Sequence, residues 1–208
     1  MSLRRMLWKR SKNMSKFIVF EGLDGSGKTT QLRLLAEWFN ERGIPHKITK
    51  EPTDNPIGRL ARSVVRGTES LSEEALSLLF SADRAEHSIK EIKPALEEGI
   101  YVLCDRYIYS NIAYQNIPID GNSIFLIPDL TVFIDTNPEE CTLRIKISRP
   151  VPEKYDGLDN AINIRNGYLS AFKKYSNVMP VEIINGNPQI NDVFAEILKL
   201  RMINEING

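Results

Sequence analysis

The 208-residue chain is 42% hydrophobic and carries 27 Lys and Arg against 27 Asp and Glu. That length suits one α/β domain with a full core and is short for two domains. Residues 1–16 hold six basic residues and no acidic one, which leaves 21 basic against 27 acidic residues in the rest of the chain. This balance argues against a broad nucleic-acid-binding face but leaves small anionic ligands open.

The basic prefix, residues 1–15, comes first along the chain. It could be an arm that binds nucleic acid or a membrane, but so short a stretch with few apolar residues cannot build structure alone. We favour a disordered tail, or a start codon assigned too early with Met14 as the true first residue. The folded domain is expected over residues 16–208.

Continuous apolar runs predict strands that are buried on both faces of a sheet. Such runs predict strands at residues 16–22, 100–105 and 130–136, and residues 46–50 and 181–185 are predicted as two further strands. Apolar residues at helical spacing predict helices at residues 29–43, 57–65, 72–98, 139–147, 158–175 and 190–206. Alternating strands and helices indicate an α/β fold, with a five-stranded parallel sheet and helices on both of its faces.

The predicted helix at residues 72–98 is the longest. Ser70 and Glu73 have the spacing of a capping box at its start, and Pro94 is expected to kink it near its end. Its expected buried stripe consists of Ala75, Leu78, Leu79, Ala82, Ile89, Ile92 and Leu96.

The two cysteines, Cys104 and Cys141, lie far apart and match no zinc-ligand spacing. We expect both to be reduced thiols, which favours a cytoplasmic protein and argues against a metal site built from sulfur. No apolar run approaches the ~20 residues of a membrane span, and the first residues lack the apolar core of a signal peptide. Neither a membrane nor a nucleic acid is expected among the partners.

The stretch between the first strand and the first helix carries the strongest functional signal. Residues 22–29, GLDGSGKT, fit the G-x-x-x-x-G-K-[ST] pattern of a phosphate-binding loop, here called the P-loop, in the required place. Its glycines let backbone N–H groups point at an anion, Lys28 can reach the β- and γ-phosphates, and the Thr29 hydroxyl can bind Mg²⁺. The pattern therefore predicts a nucleoside triphosphate with Mg²⁺, against the alternative of a glycine-rich turn that only joins strand to helix.

Ligands of parallel α/β sheets bind at the carboxyl ends of the strands, so four loops should share one rim. These are the loops after Phe20, Lys50, Cys104 and Ile134.

The chain lacks the N-K-x-D motif by which guanine-nucleotide switches read their base, and motor or transporter ATPases are usually larger. A small kinase is the favoured class.

Several stretches match one family in order along nearly the whole chain from Lys16. They are FEGLDGSGKTTQ, EPTDNPIG, LLFSADRAEH, IKPALEEG, DRYIYSNIAYQ, PDLTVFIDTNPEE, a basic segment through Arg149, and IRNGYL. In these stretches the chain resembles the thymidylate kinases, and DRYIYSNIAYQ is the most specific of them. The resemblance implies a three-layer P-loop kinase fold with a short lid at about residues 147–157. It also implies a homodimer that transfers the γ-phosphoryl group of ATP to dTMP, giving ADP and dTDP.

For the acceptor, the resemblance implies that Phe80 stacks on thymine, that Arg84 and Asn111 hydrogen-bond it, and that Tyr114 crowds the sugar 2′ position. The alternative for Phe80 is core packing, and that for Arg84 is a surface ion pair with Asp83 or Glu86. The full set of implied dTMP-binding residues is Asp24, Glu51, Phe80, Arg84, Arg106, Asn111 and Tyr114.

For the donor, the resemblance implies ATP binding by the P-loop and one lid arginine, with Mg²⁺ held by Thr29 and Asp105. The implied ATP-binding residues are Gly22, Leu23, Asp24, Gly25, Ser26, Gly27, Lys28, Thr29, Thr30 and Arg144. No basic residue lies at positions 23–26, where some family members keep a catalytic arginine. Arg149 is our candidate for that role, with Arg144 behind it. It would act together with Lys28 and Arg106.

Three points stay open from the sequence. Lys50 stands where many family members have Arg, so Arg59 or Arg62 could share a phosphate-binding role. The chain could instead be a deoxynucleoside kinase, which would need a base near the sugar hydroxyl. It could also be a nucleotide-binding regulator whose kinase activity has lapsed, although the intact Lys28, Thr29, Asp105 and Arg106 argue against this.

Overall fold

The computed structural model describes residues 15–115 and 125–206. Its strands are β1 (Phe17–Glu21), β2 (His46–Lys50), β3 (Tyr101–Asp105), β4 (Leu130–Asp135) and β5 (Val181–Asn185). Its helices are α1 (Lys28–Glu41), α2 (Pro56–Val65), α3 (Glu73–His87), α4 (Lys93–Glu97), α5 (Ile108–Gln115), α6 (Pro138–Ser148), α7 (Leu158–Tyr175), α8 (Ile190–Lys199) and α9 (Arg201–Ile206). A π-helical turn, Ser88–Ile92, joins α3 to α4.

The sheet is parallel throughout and has the strand order β2-β3-β1-β4-β5. Alternate residues of the central strand β1 face opposite layers. Phe17 and Val19 belong to the core under α4, α5 and α7, whereas Ile18 and Phe20 belong to the core under α1, α8 and α9. The predicted α/β class, with a five-stranded parallel sheet covered on both faces, is confirmed.

The register of the central strands places the chemistry-bearing loops side by side. Phe20 of β1 pairs with Asp105 of β3, and the Arg106 N–H donates to the Phe20 carbonyl at 2.9 Å. The P-loop after β1 and the segment after β3 therefore leave the sheet at the same edge, as the rule for parallel sheets predicts.

Helix α3 differs from the sequence prediction at its start and along its faces. Its cap is Ser72, whose hydroxyl accepts from the Ala75 N–H, so the predicted capping box with Ser70 is wrong. Three members of the predicted buried stripe, Leu78, Ala82 and Ile89, are exposed. The face of α3 that is buried is largely polar, and its members are Leu76, Ser77, Asp83, Arg84 and His87.

Other departures are local. The irregularity expected at Pro94 lies in the π-helical turn just before it, because the proline has no N–H to continue the ordinary ladder. The sequence reading missed α5, which directly follows β3. The predicted helix at residues 190–206 is broken at Leu200, whose extended backbone separates α8 from α9.

The start of the described chain bears on the expected basic prefix. Residues 1–14 lie outside the described residues. Ser15, which we counted in the prefix, is buried and donates a hydrogen bond to the Leu96 carbonyl at 3.2 Å. The folded part therefore reaches at least to Ser15. In residues 15–115 and 125–206, every helix is too short or too polar to cross a lipid bilayer.

Candidate active site

The P-loop backbone turns back on itself between β1 and α1. Gly25 and Gly27 have φ angles of 78° and 93°, a region that L-residues with a side chain rarely adopt. A Cβ at Gly25 would lie 2.5 Å from the Cys141 carbonyl oxygen, so only glycine allows α6 to support the loop this closely. The Thr136 hydroxyl also holds the loop, donating to the Ser26 carbonyl at 2.9 Å.

Asp24 gathers three cationic side chains at the mouth of the P-loop. Arg106 donates a short hydrogen bond to its Oδ1, Lys28 lies 3.4 Å from the same oxygen, and Arg149 lies 3.6 Å from Oδ2. Burial opposes ionisation of Asp24, but the field of these three cations outweighs it and holds the pKa well below its usual range. The carboxylate thus marks a point where an anion is strongly favoured.

Arg106 is held in an unusual backbone conformation directly after β3. Its φ is 71°, and its guanidinium also donates to Ser110 at 3.1 Å and to Tyr168 at 3.3 Å. A non-glycine residue with positive φ is uncommon and persists only where its surroundings hold it. The guanidinium is aimed at the P-loop, where the sequence prediction places a phosphate.

The support for Arg106 comes from Glu21, which sequence reasoning missed. This fully buried carboxylate at the end of β1 accepts from the N–H groups of Tyr107 and Ser110 and from the hydroxyls of Ser110 and Tyr168, at 2.6–3.1 Å. It therefore fixes the first turn of α5 and the middle of α7 around Arg106. The signal available in the sequence was an acidic residue that ends a run of four apolar ones.

Asp105 and Thr29 face each other at the carboxyl end of β3. The Thr29 hydroxyl donates to Asp105 Oδ2 in a short hydrogen bond. Asp105 Oδ1 is buried and finds no hydrogen-bond partner among the described residues. An orphaned carboxylate oxygen beside a threonine hydroxyl is the donor set that Mg²⁺ prefers, so these two residues fit the predicted metal.

Arg84 lies at the other end of the site and is almost fully buried, so the alternative of a surface ion pair with Asp83 or Glu86 is wrong. Its Nε donates to Glu51 at 2.8 Å, and its terminal nitrogens donate to Asn111 Oδ1 and to the Tyr107 carbonyl. His87 lies 3.0 Å from the second oxygen of Glu51. Sequence reasoning missed His87, which orients Glu51 and through it Arg84.

The amide of Asn111 is held on both sides. Its Nδ2 donates to Ser77 and to Gln115, each at 3.0 Å. Its Oδ1 accepts from Arg84 and from Ser81, each at 3.2 Å. A ligand that hydrogen-bonds Asn111 must therefore exchange with one of these partners.

Aromatic side chains form the wall between the two ends. The Tyr114 ring meets the Tyr155 ring edge to face at 5.2 Å, and the Arg106 guanidinium carbon lies 5.1 Å from the Tyr114 ring centre. Phe80 is partly buried, packing against the small cluster of Ala61, Val64 and Leu76 while it lines the cavity. Tyr155, in the predicted lid, is a further lining residue that the sequence reading did not single out.

A cavity of about 360 Å³ joins these two ends. Its lining includes all seven residues that the resemblance implies for dTMP binding: Asp24, Glu51, Phe80, Arg84, Arg106, Asn111 and Tyr114. Lys28, Thr29, Asp105 and Arg149, which were implied for catalysis, ATP or the metal, line it too. Arg62 also lines it. Arg59 does not belong to the lining and instead donates to the Asp54 carbonyl.

A second cavity, of about 860 Å³, lies on the other side of the P-loop. It is lined by residues 25–31 and by Asn137, Glu140, Arg144 and the loop at residues 186–190. Arg144 donates to the Gly25 carbonyl at 3.1 Å and to Glu140 at 3.0 Å. Leu23, predicted to contact ATP, has its side chain buried in the core, so only its backbone is available.

Comparisons with known proteins agree with this geometry. The family model described as thymidylate kinase matches residues 20–197. A "Probable thymidylate kinase" of Pyrococcus horikoshii is 43% identical over 198 residues, covering 88% of this chain and 94% of the relative. A protein of the same name from Thermococcus kodakarensis is 42% identical over 201 residues, covering 88% and 96%. The "Thymidylate kinase" of Cutibacterium acnes is 44% identical over 137 residues, covering 60% and 67%. This chain is an enzyme that belongs to the thymidylate kinase family.

Proposed function

We propose that this enzyme transfers the γ-phosphoryl group of ATP to dTMP, with the two nucleotides meeting end to end at the P-loop. The observation that carries the proposal is the cavity between Arg84 and Arg106, which joins a nucleobase-sized polar end to a cluster of cations. ATP would approach from the second cavity, on the far side of the same loop. Family membership supports both substrates.

The acceptor needs no general base. The second pKa of a phosphate monoester is about 6, so the attacking oxygen of dTMP is already anionic at neutral pH. Catalysis then rests on alignment and on charge neutralisation. Among the described residues, the ammonium of Lys28 makes only long contacts of 3.4 Å, to the Leu23 carbonyl and to Asp24, so it can turn to a phosphate.

Thr29 and Asp105 would hold a magnesium ion, which when bound would neutralise charge on the phosphates of ATP. Arg106 would hold the acceptor phosphate in the orientation set by Glu21, Ser110 and Tyr168. Arg149 would exchange part of its contact with Asp24 for the transferring group.

At the base end, Arg84 offers N–H donors to a carbonyl oxygen such as thymine O4. Asn111 would accept from thymine N3–H after Ser81 releases its Oδ1. Tyr114, fixed between Tyr155 and Arg106, would exclude a ribose 2′-hydroxyl by its bulk.

The test is acceptor-dependent release of ADP. Purified enzyme with ATP and Mg²⁺ should form ADP when dTMP is added and not when thymidine is added. ADP release with thymidine would instead favour a deoxynucleoside kinase. Calorimetry that detects no dTMP binding would favour the lapsed regulator.

We also propose a homodimer formed through the outer face of α3. Leu78 and Ala82 of α3, with Ile89 of the π-helical turn that follows it, are exposed at helical spacing, Leu78 to 68%. A second copy of the chain is the occupant that family resemblance suggests. Sedimentation should give a dimer for the native chain and a monomer for Leu78→Asp.

We further propose a cytoplasmic location, consistent with two buried free thiols.

A further inference from the structure

The lid segment, residues 149–156, is fastened at both ends of the cavity. At the phosphate end, Arg149 contacts Asp24 of the P-loop as well as Glu153 and Asp156 of its own segment. At the base end, the Lys154 N–H donates to the Val65 carbonyl at 2.9 Å. The lid segment therefore extends across the cavity from one end to the other. The contacts that hold its Lys154 end also constrain the position of Arg149 at the opposite end.

Glu73, in the first turn of α3, holds that far end with both of its oxygens. Oε1 lies 2.7 Å from Lys154 Nζ, and Oε2 accepts from the Tyr155 hydroxyl at 3.0 Å. Gln115, the last residue of α5, donates to the same hydroxyl at 3.0 Å. Two elements that carry base-contacting residues thus meet at one lid hydroxyl.

The same contacts lead to the nucleobase end of the cavity. Gln115 Oε1 accepts from Asn111, and the Tyr155 ring packs against Tyr114. Glu73 begins the helix that presents Phe80 and Arg84 to the cavity. These hydrogen bonds and ring contacts therefore connect the nucleobase end of the cavity to the lid segment.

We propose that Glu73 and Gln115 form a latch that holds the lid closed and so positions Arg149 for phosphoryl transfer. Both are positioning residues, since they act through Tyr155 and Lys154. Half-exposed ion pairs are weak, so this latch can open and close in each catalytic cycle. The inference rests on the proposed function.

A charge exchange tests the latch. Glu73→Lys and Lys154→Glu should each lower kcat by about five- to tenfold, the size expected for a lost ion pair with a hydrogen bond. The double variant Glu73→Lys/Lys154→Glu should recover most of the loss. A double variant no more active than either single variant would overturn the latch. Loss of dTMP-dependent activity in the unaltered enzyme would overturn the proposed function instead.

Proteolysis gives a readout that does not depend on activity. Trypsin should cleave after Lys154 several-fold faster in Glu73→Gln than in the native chain, and Tyr155→Phe should show the same direction. Glu74→Gln is the matched control, because Glu74 lies in the same helical turn but interacts with Ser72 rather than with the lid. Equal cleavage rates in Glu73→Gln, Glu74→Gln and the native chain would contradict the proposal.

Discussion

At the scale of single residues, Arg144 of α6 and Arg149 of the lid segment can be separated by what they touch. Arg149 faces Asp24 and lines the cavity of about 360 Å³. Arg144 instead donates a hydrogen bond to the Gly25 carbonyl and lines the cavity of about 860 Å³. The sequence could rank these two only by analogy. The structure gives each a distinct place relative to the P-loop.

We predict that Arg149→Ala lowers kcat by about 10²-fold, as for the loss of a group that neutralises transition-state charge, while dTMP affinity changes little. Arg144→Ala should act mainly on KM for ATP. Steady-state kinetics with each substrate varied, together with dTMP calorimetry, would check both. An unchanged kcat in Arg149→Ala would remove this residue from catalysis.

Glu21 gives a second prediction at this scale. The two carboxylate oxygens of Glu21 accept hydrogen bonds from buried N–H and O–H donors. In Glu21→Gln an NH₂ group, itself a donor, replaces one of these oxygens, so at least one of the buried donors loses its acceptor. We expect the free energy of unfolding to fall by about 1–3 kcal/mol and kcat to fall because Arg106 loses its support. Thermal denaturation and kinetics should show both effects, and Glu37→Gln on the exposed side of α1 should show neither.

At the scale of elements, α3 shows why hydrophobic periodicity misled the sequence reading. The pattern assumes that the apolar face of a helix meets the core. Here the inward face of α3 carries Arg84 and His87, while Leu78 and Ala82 point outward. A helix whose inward face lines a cavity and whose outward face exposes apolar side chains reverses the usual rule.

Helices α5 and α7 approach so closely that their contact requires glycine. A Cβ at Gly167 would lie 2.7 Å from the Ala113 carbonyl oxygen, which is backbone and cannot move aside cheaply. We predict that Gly167→Ala lowers the free energy of unfolding by about 1–3 kcal/mol, although alanine normally favours a helix. It should also lower kcat, because α7 carries Tyr168 to Arg106. Denaturant unfolding would measure the first effect, with the exposed neighbour Asn166→Ala as a neutral control.

At the scale of the whole molecule, the sequence was sufficient for the sheet and the P-loop because both follow from local patterns. The central strands β1, β3 and β4 are largely apolar and buried, and the P-loop is one contiguous motif. The sequence could not predict the roles of Glu21, His87 and Gln115, because these roles come from contacts between residues more than 30 positions apart. Helix α5 was missed because its eight residues mix polar and aromatic side chains.

The charge balance of the assembled site also determines how activity should depend on pH. The pKa of Asp24 is lower in the folded chain than in the unfolded chain, where it is about 4. The ionised carboxylate therefore contributes its full stabilisation above the unfolded pKa, and this contribution is lost only as the pH falls through the much lower folded pKa. Between about pH 5 and 9, Asp24 therefore stays ionised, and its ion pairs with Arg106 and Lys28 persist.

The phosphate of dTMP, whose second pKa is about 6, titrates within this range. We predict that kcat/KM for dTMP falls below about pH 6 because the attacking oxygen becomes protonated. Asp24→Asn should lower the rate at every pH, since it removes the carboxylate that orders three cations, but should leave the position of this acid limb unchanged. Rate profiles of the two proteins over about pH 5–9 would check this. An acid limb that moves in the Asp24→Asn profile would show that a group of the enzyme, rather than the acceptor phosphate, controls the reaction.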